Sequence, residues 1–228
     1  MTDAVSSALA PGLVLSPAAR LGVGIVLGAN VVIHAGVQVG DGCVIQDGAV
    51  LGKMPEMGPR TKAERPSEPG TLVLEPGAIV CSGAVLVAGA LIGEAAVVGD
   101  HAFVREGATI GPGTVLGHGC AVGHHAQIGA RTRIFNNSVI APGTIVEDEV
   151  DLGPHVVTTA RTWAPGERGG GHSALRRGCG VGANAVILAG VEVGESAVVG
   201  ACSMVDSDIP AGMLAVGVPA RVVGPSGR

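Results

Sequence analysis

Branched aliphatic residues recur along this chain with a period of six. From Leu74 the series runs Val80, Leu86, Ile92, Val98, Val104, Ile110, Leu116, Val122, Ile128, Ile134, Ile140, Val146 and Leu152 without a gap. Four residues after most of them comes a small or β-branched residue, as at Ala78, Ala102, Thr114, Cys120, Thr132, Ser138 and Val150. Gly often follows the aliphatic directly, as at Gly93, Gly99, Gly111, Gly117, Gly123, Gly129 and Gly153. An earlier block repeats the pattern at Leu27, Ile33, Val39, Ile45 and Leu51. A later block repeats it at Leu175, Val181, Ile187, Val193, Val199 and Val205.

Such a period matches neither an amphipathic helix nor a plainly alternating strand. It predicts a short strand and a tight turn, repeated, with Gly where the turn needs positive φ or close backbone approach. The aliphatic and the residue four later then both face inward, as the alternation along a strand requires. Three such units close a triangular coil of 18 residues. Stacked coils pair as parallel strands with a rise of roughly 4.8 Å each. The expected fold is all-β, a parallel β-helix of about eight coils in which each coil buries the faces of its neighbours. Residues 1–228 read as a single domain.

The period lapses in three places. Residues 1–24 form a loosely patterned start. Residues 53–70, rich in proline and charge, and residues 159–172, which hold the single Trp, read as loops extruded from the scaffold. Functional residues concentrate in such loops. Residues 206–228 form a closing segment.

Composition narrows the function classes. The formal net charge is -5, which offers no basic footprint for nucleic acid. With two Phe, one Trp and no Tyr, the core must be narrow and aliphatic. No long apolar run reads as a membrane span, and the first residues lack the pattern of a signal peptide. Five Cys without paired spacing fit a reducing compartment, so the cytoplasm is expected. Cys43, Cys120 and Cys179 occupy the small inward slot, whereas Cys81 and Cys202 fall at turn positions.

Positions 18 apart share an edge of the prism. The turns beside Val98, Leu116, Ile134 and Leu152 therefore bring His101, His118, Asn136 with Asn137, and His155 onto one edge. Polar side chains stacked over successive coils form one wall of a cleft. His124 falls on the next edge round.

Over almost its whole length the chain resembles the hexapeptide-repeat acyltransferase superfamily, and residues 181–224 look like that superfamily's final coils and closing segment. The resemblance implies a left-handed helix, a homotrimer, and acetyl-coenzyme A bound along the groove between adjacent prisms. A narrower similarity, carried by Asn136–Asn137, Glu147–Asp148, Gly153–Pro154 and the 159–172 loop, is to bacterial N-acyltransferases of nucleotide-linked amino sugars. Pro142 stands where that group often has Glu. In VGHHAQIG, His124 matches the catalytic His of related sugar acyltransferases, but His125 replaces the acidic residue that follows it.

Acyl transfer from a thioester needs a proton acceptor, a donor near the carbonyl oxygen and a slot for pantetheine. No covalent nucleophile stands beside a base, so direct attack by a bound amine or hydroxyl is the simpler route. His124 or His118 is the expected base, since imidazole titrates near working pH. Asn136 would hold the acceptor or polarise the thioester, while Asn137, His101, His155, Trp163 and Arg161 are expected to touch the sugar substrate. The resemblance places Gly182, Ala183, Gly200 and Ala201 along the pantetheine arm, with Arg221 at a coenzyme A phosphate and Arg177 second to it.

The expected activity is N-acetylation of an amino sugar, a nucleotide sugar in particular. Three other readings stay open: O-acetylation of a sugar hydroxyl, a non-catalytic scaffold, and a zinc enzyme like the γ-class carbonic anhydrases. The last needs an H-x4-H spacing, whereas His118 and His124 are spaced H-x5-H. No metal site is expected in the chain.

Overall fold

The computed structural model describes residues 10–55, 70–160 and 171–227. Each hexapeptide forms a strand of two to a few residues and then turns, so the chain visits three sheets in rotation. Sheet I has ten strands, from Val14–Leu15 to Met204–Val205. Sheet II has nine, from Arg20–Leu21 to Glu192–Val193. Sheet III has eleven, from Val26–Leu27 to Ala220–Pro225. Away from the two loops and the closing segment, pairing is parallel and falls 18 residues apart, as in Phe103 with Ala121 and Val104 with Val122.

Two sequence expectations need correction. The helix has about ten coils rather than eight, because its regular part starts earlier than the pattern suggests. Strands Val14–Leu15 and Arg20–Leu21, inside residues 1–24, already pair with Val32–Ile33 and Val37–Val39. Their aliphatics line the open end of the prism, where exposure relaxes the demand for a strict repeat.

The core is the column of repeat aliphatics with the small residues between them. Leu86, Ile92, Ile110, Leu116, Ile134, Ile140 and Leu152 are fully buried, alternating with Ala84, Ala90, Ala108, Cys120 and Ser138. Burying each large aliphatic stabilises the fold by about 1.5–3 kcal/mol. The inward Thr and Ser hydroxyls are paired with backbone, as Thr132 Oγ1 donates to Glu147 O (2.9 Å) and Ser138 Oγ to Gly153 O (3.0 Å).

The turns separate the two roles expected of glycine. The residue directly after the aliphatic needs close approach: a Cβ on Gly123 would lie 2.4 Å from Pro142 N. Positive φ instead falls two residues later, where His101, His125, Asn137 and His155 adopt φ between 55 and 59°.

Three features place the functional surfaces. Both extruded loops leave from the corner between sheets I and II, and the sheets continue in register past them, Val50 pairing with Val85 and Ala174 with Ile145. From Val85 to Met204 the outward residue of each strand of sheet I is apolar: Val85, Phe103, Ala121, Val139, Val157, Val186 and Met204. Sheet II mixes outward Arg20, Gln38, Gln127 and Glu192 with Leu91 and Ile145, and sheet III mixes outward Arg133 and Asp151 with Val97 and Val115. Finally, Met213–Gly217 ends sheet III and folds back as an antiparallel hairpin with Ala220–Pro225. No helix of the described residues is long and apolar enough to cross a membrane.

Candidate functional site

Two corners flank the apolar face of sheet I. The corner between sheets III and I carries His101, His118, Asn136, Asn137 and His155, in the turns that lead into Phe103, Ala121, Val139 and Val157. It continues through Gly182–Ala183 and Gly200–Ala201. The rings of His101 and His118 meet edge to face, 5.7 Å apart. Asn136 Oδ1 accepts the backbone N–H of His118 (3.0 Å), while His155 N–H donates to Asn136 O (3.0 Å). His101, His118, Asn136, Asn137 and His155 are all exposed.

The second residue of each turn shows a recurring bond. Asp47, Asp100, Asn136 and Asp148 each accept the N–H of the residue 18 earlier, at 2.7–3.0 Å. Ala183 is followed one coil on by Ala201, whose methyl group accepts nothing. The turn amide of Ala183 is therefore left for another acceptor.

The corner between sheets I and II carries His124. Its ring lies 5.4 Å from that of His125, nearly perpendicular to it. One coil before stand Arg105 and Glu106, joined by two hydrogen bonds: Nη2 to Oε1 at 2.6 Å and Nε to Oε2 at 3.1 Å. On the loop side, His172 places Nδ1 3.2 Å from Pro142 O. His124 is half-buried, and burial holds its imidazole below the ordinary value; Arg105 acts in the same direction, against Glu106.

One chain thus unites His118 with Asn136 but places His124 elsewhere. The two corners are separated by one hexapeptide of sheet I, at most about 20 Å of chain. Trp163 and Arg161 lie outside the described residues. Arg221 is exposed and paired with Asp206 (3.1 Å), and Arg177 pairs with Asp148 (3.3 Å). The acidic run beginning at Glu147 lies around the corner between sheets II and III, away from sheet I. There it staples coils together, Glu147 to Arg176 (2.9 Å), Glu149 to Arg131 (2.7 Å) and Asp151 to Arg133 (2.7 Å). A cleft of about 460 Å³ beside it is lined by Glu147, Arg176, Glu192, Glu195 and Asp208, far from both histidine corners.

Arg105, Glu106 and His172 did not emerge from sequence reasoning. Counting back 18 from His124 would have found Glu106. His172 follows a break in the period, where counting fails.

A family profile described as the hexapeptide repeat of succinyl-transferase matches residues 19–53 and 177–207. The serine acetyltransferase of Salmonella typhimurium is 37% identical over 89 residues, 39% of this chain and 32% of that protein. The dTDP-3-amino-3,6-dideoxy-alpha-D-galactopyranose 3-N-acetyltransferase of Aneurinibacillus thermoaerophilus is 50% identical over 54 residues, 24% of this chain and 28% of that protein. The matches thus span about a third of these relatives' length. Among solved structures, a point mutant of AntD, an N-acyltransferase from Bacillus cereus in complex with dTDP and coenzyme A, aligns with a TM-score of 0.51 at 21% identity, over 56% of this chain and 78% of that one. At that identity the likeness concerns the fold. In its repeat and its three-sheet helix the chain is thus similar, over part of its length, to hexapeptide-repeat acyltransferases.

Proposed function

We propose that the protein transfers the acetyl group of acetyl-coenzyme A to the amine of a small amino sugar, nucleotide-linked, and that it works as a homotrimer with three interfacial sites. The observation that carries this reading is the run of apolar residues on sheet I from Val85 to Met204, bordered by two polar corners. A contiguous exposed apolar face of this kind marks an association surface. Three copies packed on sheet I about a threefold axis form a closed head-to-tail ring. In that ring the His118–Asn136 corner of one copy meets the His124 corner of the next.

The chemistry then follows. The amine nitrogen attacks the thioester carbonyl, its new bond to carbon replacing the carbon–sulfur bond. His124 accepts the amine proton and passes it to the departing thiolate, leaving amide and free thiol. A depressed imidazole value keeps His124 neutral and able to accept that proton. Asn136, its carbonyl engaged by His118, keeps an amide donor for the acceptor or for the thioester oxygen. The unclaimed turn amide of Ala183, with Gly182, Gly200 and Ala201 beside it, suits the carbonyls of a pantetheine arm.

The sugar N-acetyltransferase relative supports an amine acceptor, and the serine acetyltransferase relative favours a hydroxyl. A thiol-release assay with acetyl-coenzyme A, run over amino sugars, hydroxy sugars and serine, separates the two. Thiol release with amino sugars alone supports N-acetylation. Release with hydroxyl acceptors alone moves the assignment to O-acetylation, and release with none overturns both. The zinc reading requires three converging ligands; among the described residues of one chain no such group occurs. Stoichiometric zinc in the purified protein would restore it.

A further inference from the structure

Among the described residues, Glu106 is the one charged side chain that is buried, with 8% of its surface exposed. Its position is tied to His124. The strands before the two turns pair in register, Val104 with Val122, and the N–H of His125 donates to Glu106 O (3.0 Å). The next residue, Gly107, lies under the His125 ring, where a Cβ would come within 2.2 Å of Nδ1. Glu106 and His124 are therefore the second residues of successive turns, one coil apart.

We propose that Glu106 is the positioning residue of His124, taking the place of the acidic neighbour that His125 displaces. The proposal rests on His124 being the base. Burying a carboxylate costs free energy unless it is paired. Arg105 provides the pairing through two hydrogen bonds, which fix the orientation of the carboxylate. The fold itself makes no demand for charge here, since two coils on the equivalent residue is Pro142 and near the end of the prism it is Ala189. What the anion does is stabilise the imidazolium that forms when His124 takes a proton. The charged and titratable groups facing His124 are Arg105, Glu106, His125 and His172. Of these, Glu106 alone favours the protonated ring.

The test compares wild type with Glu106→Gln, Arg105→Gln and His124→Ala. It reads the pH profile of kcat/KM and the imidazole titration of His124 by nitrogen-edited NMR. Glu106→Gln keeps the shape and removes the charge. It is expected to lower kcat about tenfold or more, with KM little changed. It should also move the His124 midpoint and the rising limb of the profile to lower pH. Arg105→Gln should move both to higher pH. A purely structural pair would lower the melting temperature and leave the two midpoints where they were. Unmoved midpoints with His124→Ala inactive overturn the proposal and leave the base assignment standing. His124→Ala at the wild-type rate overturns the base assignment itself. If Glu106→Gln fails to fold, Arg105→Gln decides alone, and an unshifted limb counts against the proposal.

Discussion

Asn136 reaches back one coil to accept the backbone N–H of His118 at 3.0 Å. Asp47, Asp100 and Asp148 make the same bond to Ala29, Ser82 and Ala130, so it is a stacking device of the fold before it is a feature of a site. What distinguishes Asn136 is the amide nitrogen left over, which an aspartate lacks. Asn136→Asp should therefore keep the melting temperature and lose turnover. Asn136→Ala should lose turnover and also about 0.5–1.5 kcal/mol of stability. Thermal melts beside thiol-release rates check both, and a fully active Asn136→Asp would remove Asn136 from the chemistry.

His124→Ala is expected to lower kcat/KM by roughly 10²–10⁴-fold while the assembly stays folded. Burial and Arg105 depress the His124 imidazole, so kcat/KM should rise with pH along a limb below the usual imidazole range. The sign for stability is the same. A folded-state value below the unfolded one means that the unfolded chain binds the proton more readily. This contribution is complete above the ordinary imidazole value and is lost as pH falls through the folded value. Denaturant melts across that window, compared with His124→Ala, isolate the effect. A wild-type profile with its limb above the ordinary value would contradict it.

Gly107 and Gly143 each combine positive φ with an imidazole one coil on, that of His125 and of His172. A Cβ on Gly143 would sit 2.2 Å from the His172 ring. Gly107→Ala and Gly143→Ala should each cost about 1–3 kcal/mol, part from the left-handed backbone and part from displacing the ring. Gly36, also at positive φ but with nothing near its Cβ position, is the control and should cost only the backbone part. Equal losses at all three sites would mean that the rings are free to move.

The apolar face of sheet I yields a prediction about assembly. Val139→Glu should disperse the oligomer, because a charge at the centre of an apolar interface is left without a partner. Sedimentation should change from three times the 22.3 kDa chain mass to one. Ile145→Glu, outward on sheet II, should leave the mass unchanged. Dissociation by the sheet II variant instead would move the interface to another face.

The repeat from Leu74 to Leu152 was enough to establish the coil, the inward slots and the alignment of His118 with Asn136, because a strand's alternation and an 18-residue turn of the helix are local rules. It also placed His124 on the next corner. Glu147 and Asp148 entered as part of the narrower resemblance, and the structure shows them, with Asp151, as cross-coil staples away from sheet I. Arg176 and Arg177, the partners of Glu147 and Asp148, lie beyond an inserted loop, where the six-residue count is lost.

What the sequence alone determined is thus the wall of the prism on which each repeat residue stands. What the tertiary structure decided is which corners border the same sheet, that both loops leave from the His124 corner, and that Glu106 is buried against Arg105 beneath it. Burial and ion pairing depend on neighbours in adjacent coils, and a one-dimensional period fixes the order of the walls but carries no account of what fills the space between their side chains.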